Sequence, residues 1–410
     1  MCIRDSQTAA QTTLSWQPVA GAARYRILWS DRPGETVRFK TAGESGESLF
    51  TFCRSTHIPY YIKVQALAEN GVLLEESTPV QTPVGRVLQQ QLEALSRGLV
   101  AVTANTGVFI SWRLFKSEVI GHNATGLTGT DFVLYKNGVR LATVTDSTNY
   151  LDAQGTSGDT YAVAPLVNGV EGPACRGVKP WQKGYYELPL QKPADGVTPA
   201  GEPFAYHAND MSVGDIDNDG EYEYFVKWDP DNSHDVSIKG YTGRCFIDCY
   251  KLDGTLVWRL DMGQNIRAGA HYTQFMVFDF DGDGKAEVVM RTADGTIDSK
   301  GKVIGDANAD YREEGTFDPS RNQIMKQGRI LKGKEYLTVF SGDTGEALHT
   351  IDYIPARGNV ADWGDAKGNR SDRFLACVAY LDGVHPSVVM CRGYYTRTVL
   401  ALSLIHISEP

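Results

Sequence analysis

The sequence predicts an all-β protein in which N-terminal β-sandwich modules lead into the repeated strand units of a β-propeller. Three observations carry that expectation. Short runs of alternating apolar and polar residues, bounded by Gly, Pro and Ser, fill the N-terminal part of the chain. An acidic pattern then recurs in register, and each copy runs straight into an apolar strand. The composition, with 42 glycines and 10% aromatic residues in 410 positions, leans toward turn-rich β structure. At roughly 100–200 residues per domain, the length allows two to three domains.

The elements follow in order. Leu14-Ser15-Trp16, Tyr25-Arg26-Ile27-Leu28-Trp29 and Tyr60–Ala66 alternate as strands of a sandwich over about residues 10–85, with Trp16 expected to be buried. This stretch resembles a fibronectin type III module. From Val87 to Arg97, Leu88, Leu92 and Leu95 fall at helical spacing without glycine or proline, which reads as a short helix or linker. Val100-Ala101-Val102, Val108–Trp112, Phe132–Tyr135 and Tyr161–Ala164 then outline a second sandwich, about residues 90–180, with Asn137-Gly138 as a hairpin turn.

From about 185 to 402 the chain becomes turn-and-strand repeats. Val213–Glu223 aligns without gaps on Val277–Glu287, and the copies continue into Tyr224–Trp228 and Val288–Thr292. A decayed third copy, Tyr380-Leu381-Asp382-Gly383, precedes Ser387–Arg392, and hairpins over Tyr250–Trp258 and Val339–Leu348 fall between copies. One repeat is therefore several strands long, as in a propeller blade. Residues 1–6 and 403–410 resemble translated adapter sequence, so both are set apart from the fold as non-native ends and the natural protein is expected to continue beyond them.

With 50 acidic against 40 basic residues, the net charge of −10 supplies no general attraction for nucleic acid or anionic lipid. No membrane span is expected, because Phe275–Phe278 and Val288–Met290 fall far short of the ~18 apolar residues a spanning helix requires. The seven cysteines lack zinc-site spacing and read mainly as small buried hydrophobes, Cys245 and Cys249 sharing one face of a strand.

The D-x-D-x-D-G-x-x-E pattern places alternate carboxylates on one side of a tight turn, with glycine permitting the bend. Hard oxygen donors in that number suit Ca²⁺. One ion is assigned Asp215, Asp217, Asp219, Glu223 and a main-chain oxygen at Glu221; the other takes Asp279, Asp281, Asp283, Glu287 and a main-chain oxygen at Lys285. The glutamate comes earlier than in a helix-loop-helix calcium sensor, and a strand follows, which excludes that class. A structural ion that pins the turn is the favoured role over a catalytic one.

Asn265–Phe275, with Lys227-Trp228-Asp229-Pro230 before it and Ala356–Val360 through Trp363-Gly364-Asp365 after it, resembles the bacterial rhamnogalacturonan lyases of polysaccharide lyase family 11. The likeness runs from about residue 90 to 401. It implies an N-terminal sandwich, an eight-bladed propeller, calcium in the blades and a cleft for rhamnogalacturonan I, a pectic polysaccharide. The implied reaction is β-elimination between rhamnose and galacturonate, which calls for a cation to offset the charge built beside the uronate carboxylate.

The resemblance further implies that Asn209 and Asp229 contact substrate and that Asp210 is an additional calcium ligand. Arg267 and His271 are read from the residues themselves as cleft groups, since they sit among small residues in a loop. A carbonyl-bonding role for Arg267 and a hydrogen-bonded structural role for His271 stay open. Lys227 and Arg291 occupy equivalent repeat positions and read as scaffold. The expected protein is a monomer when complete, working outside the cytoplasm, in the periplasm or beyond. About 220 residues follow the sandwich region, so the propeller is expected to be incomplete and the catalytic base to lie outside this chain. The competing reading is a calcium-stabilised propeller that binds glycans without cleaving them.

Overall fold

A computed structural model describes residues 9–30, 39–55, 60–82, 90–123, 126–145, 147–167 and 169–403. Among these the structure is nearly all β; the exceptions are the 3₁₀ turns Lys116–Glu118 and Val360–Trp363. No helix is long and apolar enough to cross a membrane. The chain divides into two compact units, 1–89 with 97–186 and 90–96 with 187–410.

The first unit holds two sets of antiparallel sheets. In one, Lys40–Ser45, Arg24–Ser30, Tyr61–Leu67 and Leu73–Glu76 lie side by side, while Ala9–Ser15 pairs with Leu49–Ser55. Its core gathers Tyr25, Ile27, Ile62 and Ala66. Trp16 is only half-buried, because it lies just past its strand and covers Tyr25 edge-on at 5.2 Å. In the other set, the order Val139–Val144, Asp131–Lys136, Tyr161–Val167, Val170–Glu171 faces the trio Asn149–Asp152, Gly107–Ser111, Val100–Ala104. Val108, Ile110, Phe132, Leu134, Tyr161 and Val163 from both sheets form one core. The Asn137-Gly138 turn is present: φ values of 52° and 77° match the mirror-image turn that suits the twist of paired strands.

In the second unit three antiparallel sheets succeed one another along the chain. The first runs Tyr206–Gly214, Glu223–Pro230, Phe246–Tyr250, Leu256–Asp261, Thr296–Ile297, Val303–Ile304; the second Phe275–Phe278, Glu287–Ala293, Glu335–Ser341, Ala347–Asp352; the third Phe374–Ala379, Ser387–Arg392, Val399–Ser403. The first strands of successive sheets are neighbours. The hairpin Thr296–Ile304 leaves the second sheet's stretch of chain to extend the edge of the first. Phe225, Ile247, Trp258, Leu260, Val288, Met290 and Phe340 pack between the first two sheets, and Met276, Phe280, Val289, Phe374 and Met390 between the second and third. Each such side chain contributes about 1.5–3 kcal/mol when taken fully out of water.

Each acidic turn joins the first strand of its sheet to the second. The stretch expected as helix or linker is not helical where it is described, from Gln90 onward; Val87–Gln89 lie outside the described residues. It runs across all three turns. Gln91 donates its backbone N–H to the Val384 carbonyl at 2.8 Å and its side-chain amide to the Asp279 carbonyl at 3.0 Å. Ser96 donates to the Gly220 carbonyl at 2.7 Å and to the Glu221 carboxylate at 2.6 Å. Backbone groups of a glycine-rich turn that would otherwise need water are met by this strap.

Cys245, Cys249 and Cys391 are buried as expected of small hydrophobes, but Cys377 is exposed on the outer face of the third sheet. Residues 1–6 and 404–410 lie outside the described residues. Ser403, expected to lie beyond the fold, still pairs with Val388.

Candidate functional site

The two full acidic turns are built alike. In the first, Asp215 is buried, and its Oδ1 accepts the Asn218 N–H at 2.7 Å while its Oδ2 accepts that of Gly220 at 2.8 Å. Glu223 reaches back from the following strand to accept the Ile216 N–H at 3.1 Å. In the second, Asp279 accepts from Gly282 at 2.7 Å and Gly284 at 3.1 Å, and Glu287 from Phe280 at 2.8 Å. Asn218 and Gly220 sit at φ values of 61° and 85°, Gly282 and Gly284 at 84° and 91°. That left-handed backbone makes the glycines necessary.

The result is two trios, Asp215 with Asp217 and Glu223, and Asp279 with Asp281 and Glu287, whose ligand oxygens lie within 4.8 Å of one another. Asp219 and Asp283 each accept a backbone N–H two residues on, from Glu221 and Lys285, at 2.8 Å. The Glu221 and Lys285 side chains turn elsewhere, to Ser96 and Asp343.

Burial, with the neighbouring aspartates, pushes the Glu223 carboxyl up to about 6 and that of Glu287 up to about 8. Burial likewise raises Asp279. At the first turn the Lys251 ammonium lies 2.8 Å from Asp217 and 3.9 Å from Glu223, one positive charge against three carboxylates; each trio is thus short of positive charge, and an all-oxygen donor set of this kind fits a hard divalent cation. The third turn shows the alternative solution. There Asp382 takes the His385 imidazole at 2.7 Å and two backbone N–H groups at 2.8 Å, needing no cluster of acids.

Midway along the first two strands of the first sheet a second constellation forms. A β-bulge between Ala208 and Met211 sets Asn209 and Asp210 against the single residue Lys227 of the neighbouring strand. A bulge re-aims side chains, and here it turns both toward the Lys227 ammonium. Lys227 is 1% exposed and lies 3.4 Å from Asn209 Oδ1, 3.2 Å from Asp210 and 3.4 Å from Asp229. Burial lowers its pKa, but the neighbouring Asp229 and Asp210 carboxylates outweigh that and raise it, so the ammonium persists. Asp229 is buried as well, its other oxygen taking the Cys245 thiol at 3.1 Å. Asn209 and Asp210 are exposed.

His271 is half-buried beside Tyr272, with burial and then the Arg373 charge lowering its pKa; Asp235 and Lys227 are its other charged neighbours. Arg267 sits differently from its expected place facing a ligand. It is 4% exposed and donates to the carbonyls of Gly328 at 2.6 Å, Ile238 at 2.8 Å and Gly240 at 3.1 Å. Loop carbonyls with no strand partner claimed its guanidinium, which is the carbonyl-bonding alternative. Arg267→Ala is expected to cost about 2–5 kcal/mol, since three buried carbonyls lose charged donors, and urea unfolding will measure it.

Lys227, read from the repeat as scaffold, proves to stand at the centre of the constellation. No signal in the sequence announces the bulge that brings Asn209 and Asp210 to it. Arg291, its repeat equivalent, does pack as scaffold, bonded to Glu335 at 2.8 Å and to the Tyr272 carbonyl at 2.7 Å.

The region that holds the acidic turns and the lysine-centred group, and the stretch of chain before it, each match a family model. Residues 90–181 match Rhamnogalacturonan I lyases beta-sheet domain, and residues 185–404 match Rhamnogalacturonan lyase family 11, C-terminal domain. The chain belongs to rhamnogalacturonan lyase family 11.

Among individual proteins it is 55% identical over 330 residues to rhamnogalacturonan endolyase YesW of Bacillus subtilis (strain 168), covering 80% of this chain and 50% of that protein. It is also 55% identical over 314 residues to rhamnogalacturonan exolyase YesX of the same organism, covering 76% and 48%. The solved structure of Bacillus licheniformis rhamnogalacturonan lyase PL11 superposes with a TM-score of 0.70 at 56% identity, over 79% of this chain and 52% of that one. The chain spans about half the length of the curated relatives it matches.

Proposed function

We propose that this protein takes part in cleaving the rhamnose–galacturonate backbone of rhamnogalacturonan I by β-elimination, outside the cytoplasm and as a monomer when complete. The observation that carries the reading is membership of family 11 across both matched regions, 90–181 and 185–404. On this reading the three sheets of the second unit are successive blades of an incomplete propeller over 185–402. Residues 90–180 are the family's sandwich, and 10–85 a fibronectin type III-like module.

The two acidic turns hold calcium through Asp215, Asp217, Asp219 and Glu223, and through Asp279, Asp281, Asp283 and Glu287, with main-chain oxygens at Glu221 and Lys285. Calcium, when bound, would supply positive charge that holds the turns, and Asp210, the additional ligand, would place such charge where a uronate carboxylate needs it. Asn209 offers its amide N–H groups to sugar hydroxyls, since its oxygen already accepts from Lys227. Asp229 acts from the floor of the site, and His271 lies at its edge. Lys227 ties Asp229 and the two bulge residues together, so the polar groups that meet the polymer are held before it arrives. Arg267 braces the loops behind them.

The test is ultraviolet absorbance, which rises as an unsaturated uronate forms when the complete protein is incubated with rhamnogalacturonan I and calcium. Asn209→Ala, at an exposed residue whose loss leaves the buried Lys227–Asp229 pair intact, is expected to slow that rise roughly tenfold at unchanged melting temperature, the scale of one lost contact to substrate. A flat trace with binding retained would leave the glycan-binding reading in its place.

A further inference from the structure

The turn Gly393–Thr398, which follows the central strand of the third sheet, presents a feature that neither the acidic turns nor the lysine constellation uses. Tyr395 is 85% exposed and is held at φ 59°, a backbone region that a bulky non-glycine residue rarely adopts. Its ring lies against Tyr394, with centroids 4.4 Å apart. The surroundings lock this pair. The Asn369 amide donates to the Tyr394 hydroxyl at 3.2 Å, and the Arg373 guanidinium covers the Tyr394 ring at 4.9 Å. Arg373 is itself tied to Asp235 at 2.7 Å and to Asn369 at 2.8 Å. Gly393 fixes the other flank at φ 89°, where a Cβ would come within 2.7 Å of the Trp363 ring.

One cation lies beside the exposed ring and a second follows two residues further along the turn. Arg370 lies 5.9 Å from the Tyr395 centroid and bonds to Thr396, and Arg397 lies over Trp363 at 4.6 Å. Among the described residues neither guanidinium is paired with a carboxylate, although the chain carries 50 acidic residues and a net charge of −10. An exposed rigid tyrosine with unneutralised arginines is the composition of a binding hot spot, and guanidinium suits carboxylate recognition. The patch also has a direction, because the residue after Arg373, Phe374, donates its backbone N–H to the His271 carbonyl at 3.3 Å.

We infer that Tyr395, supported by Tyr394 and joined by Arg370 and Arg397, forms an additional subsite that stacks one sugar ring and pairs with the carboxylate of an acidic sugar some way along the chain from the Asn209–Lys227 group. The inference rests on the reading given under Proposed function and adds a second point of attachment to it.

The test measures binding of the 410-residue chain, with calcium, to rhamnogalacturonan I oligosaccharides, to the same oligosaccharides with carboxyls reduced to alcohols, and to oligogalacturonate. Tyr395→Ala is expected to weaken binding of the native oligosaccharides about tenfold at unchanged melting temperature. Arg370→Gln with Arg397→Gln is expected to abolish the preference for native over carboxyl-reduced ligand. Wild-type affinity in both variants, with binding weakened in Asn209→Ala, would overturn the subsite and leave the proposed function standing. Tyr395-dependent binding of oligogalacturonate with none of rhamnogalacturonan I would support the subsite and remove the proposed substrate. No binding of any of the three by the parent chain would overturn the subsite.

Discussion

Replacing Glu335 by Ala is expected to unfold the second unit at temperatures where the parent chain is intact. Glu335 is 8% exposed and receives three arginines: Arg392 at 2.6 Å, Arg357 at 2.7 Å and Arg291 at 2.8 Å. Arg392 and Arg357 also approach Asp372, at 3.3 and 3.5 Å. Three buried cations against two carboxylates already leave a positive excess, so losing Glu335 strands charge that cannot reach water. Breaking a buried pair in this way costs about 3–5 kcal/mol, and here more than one pair is broken. At roughly 2–4 °C per kcal/mol for a unit of this size, the melting temperature should fall by about 10 °C or more. Scanning calorimetry measures it. Glu335→Gln should recover little, since it keeps the shape and removes the charge.

The same carboxylate sets a pH dependence. Burial pushes Glu335 up, but the charges of Arg357, Arg392 and Arg291 outweigh it and hold the group down at about 2, against an ordinary 4.5. A pKa depressed on folding means the stabilisation is fully present above 4.5 and is lost as pH falls from there toward 2. Acid unfolding of the parent chain should therefore gather in that window.

Calcium removal is the second large effect. Chelation should lower the melting temperature of the second unit, because three carboxylate oxygens within 4.8 Å would lose a divalent counter-charge at each turn, with only the Lys251 ammonium beside the first trio to offset it in part. A site saturated a hundredfold above its Kd contributes about 2.7 kcal/mol, so two sites amount to roughly 5 kcal/mol. Asp215→Asn and Asp279→Asn should each remove about half of the calcium-dependent shift, and the double variant all of it. The decayed third turn predicts its own contrast: Asp382→Asn should leave calcium dependence unchanged, since His385 already supplies its partner.

What could be read ahead of the structure was whatever the chain encodes locally. Asn137-Gly138 specifies its hairpin because both residues tolerate positive φ, and the acidic turns announce themselves because every ligand lies within nine residues. Long-range assemblies stayed hidden. Glu335, Arg291, Arg357, Arg392 and Asp372 come from separate stretches, and none carries a pattern that distinguishes it from a surface charge. Arg267 was open to two readings because a loop arginine looks alike whether it faces carbonyls or ligand. The bulge at Asn209-Asp210 depends on register across two strands, and register is set by packing against the neighbouring sheet. The path of Gln90–Ser96 depends likewise on turns more than a hundred residues away.

The whole account turns on whether the acidic turns grip a hard divalent ion. Crystals grown with calcium, and soaked with a lanthanide as an anomalous scatterer, place the ion directly. The account predicts a peak beside Asp215 and Glu223 and another beside Asp279 and Glu287, with none at Asp382. Peaks absent from both turns at saturating metal would contradict it.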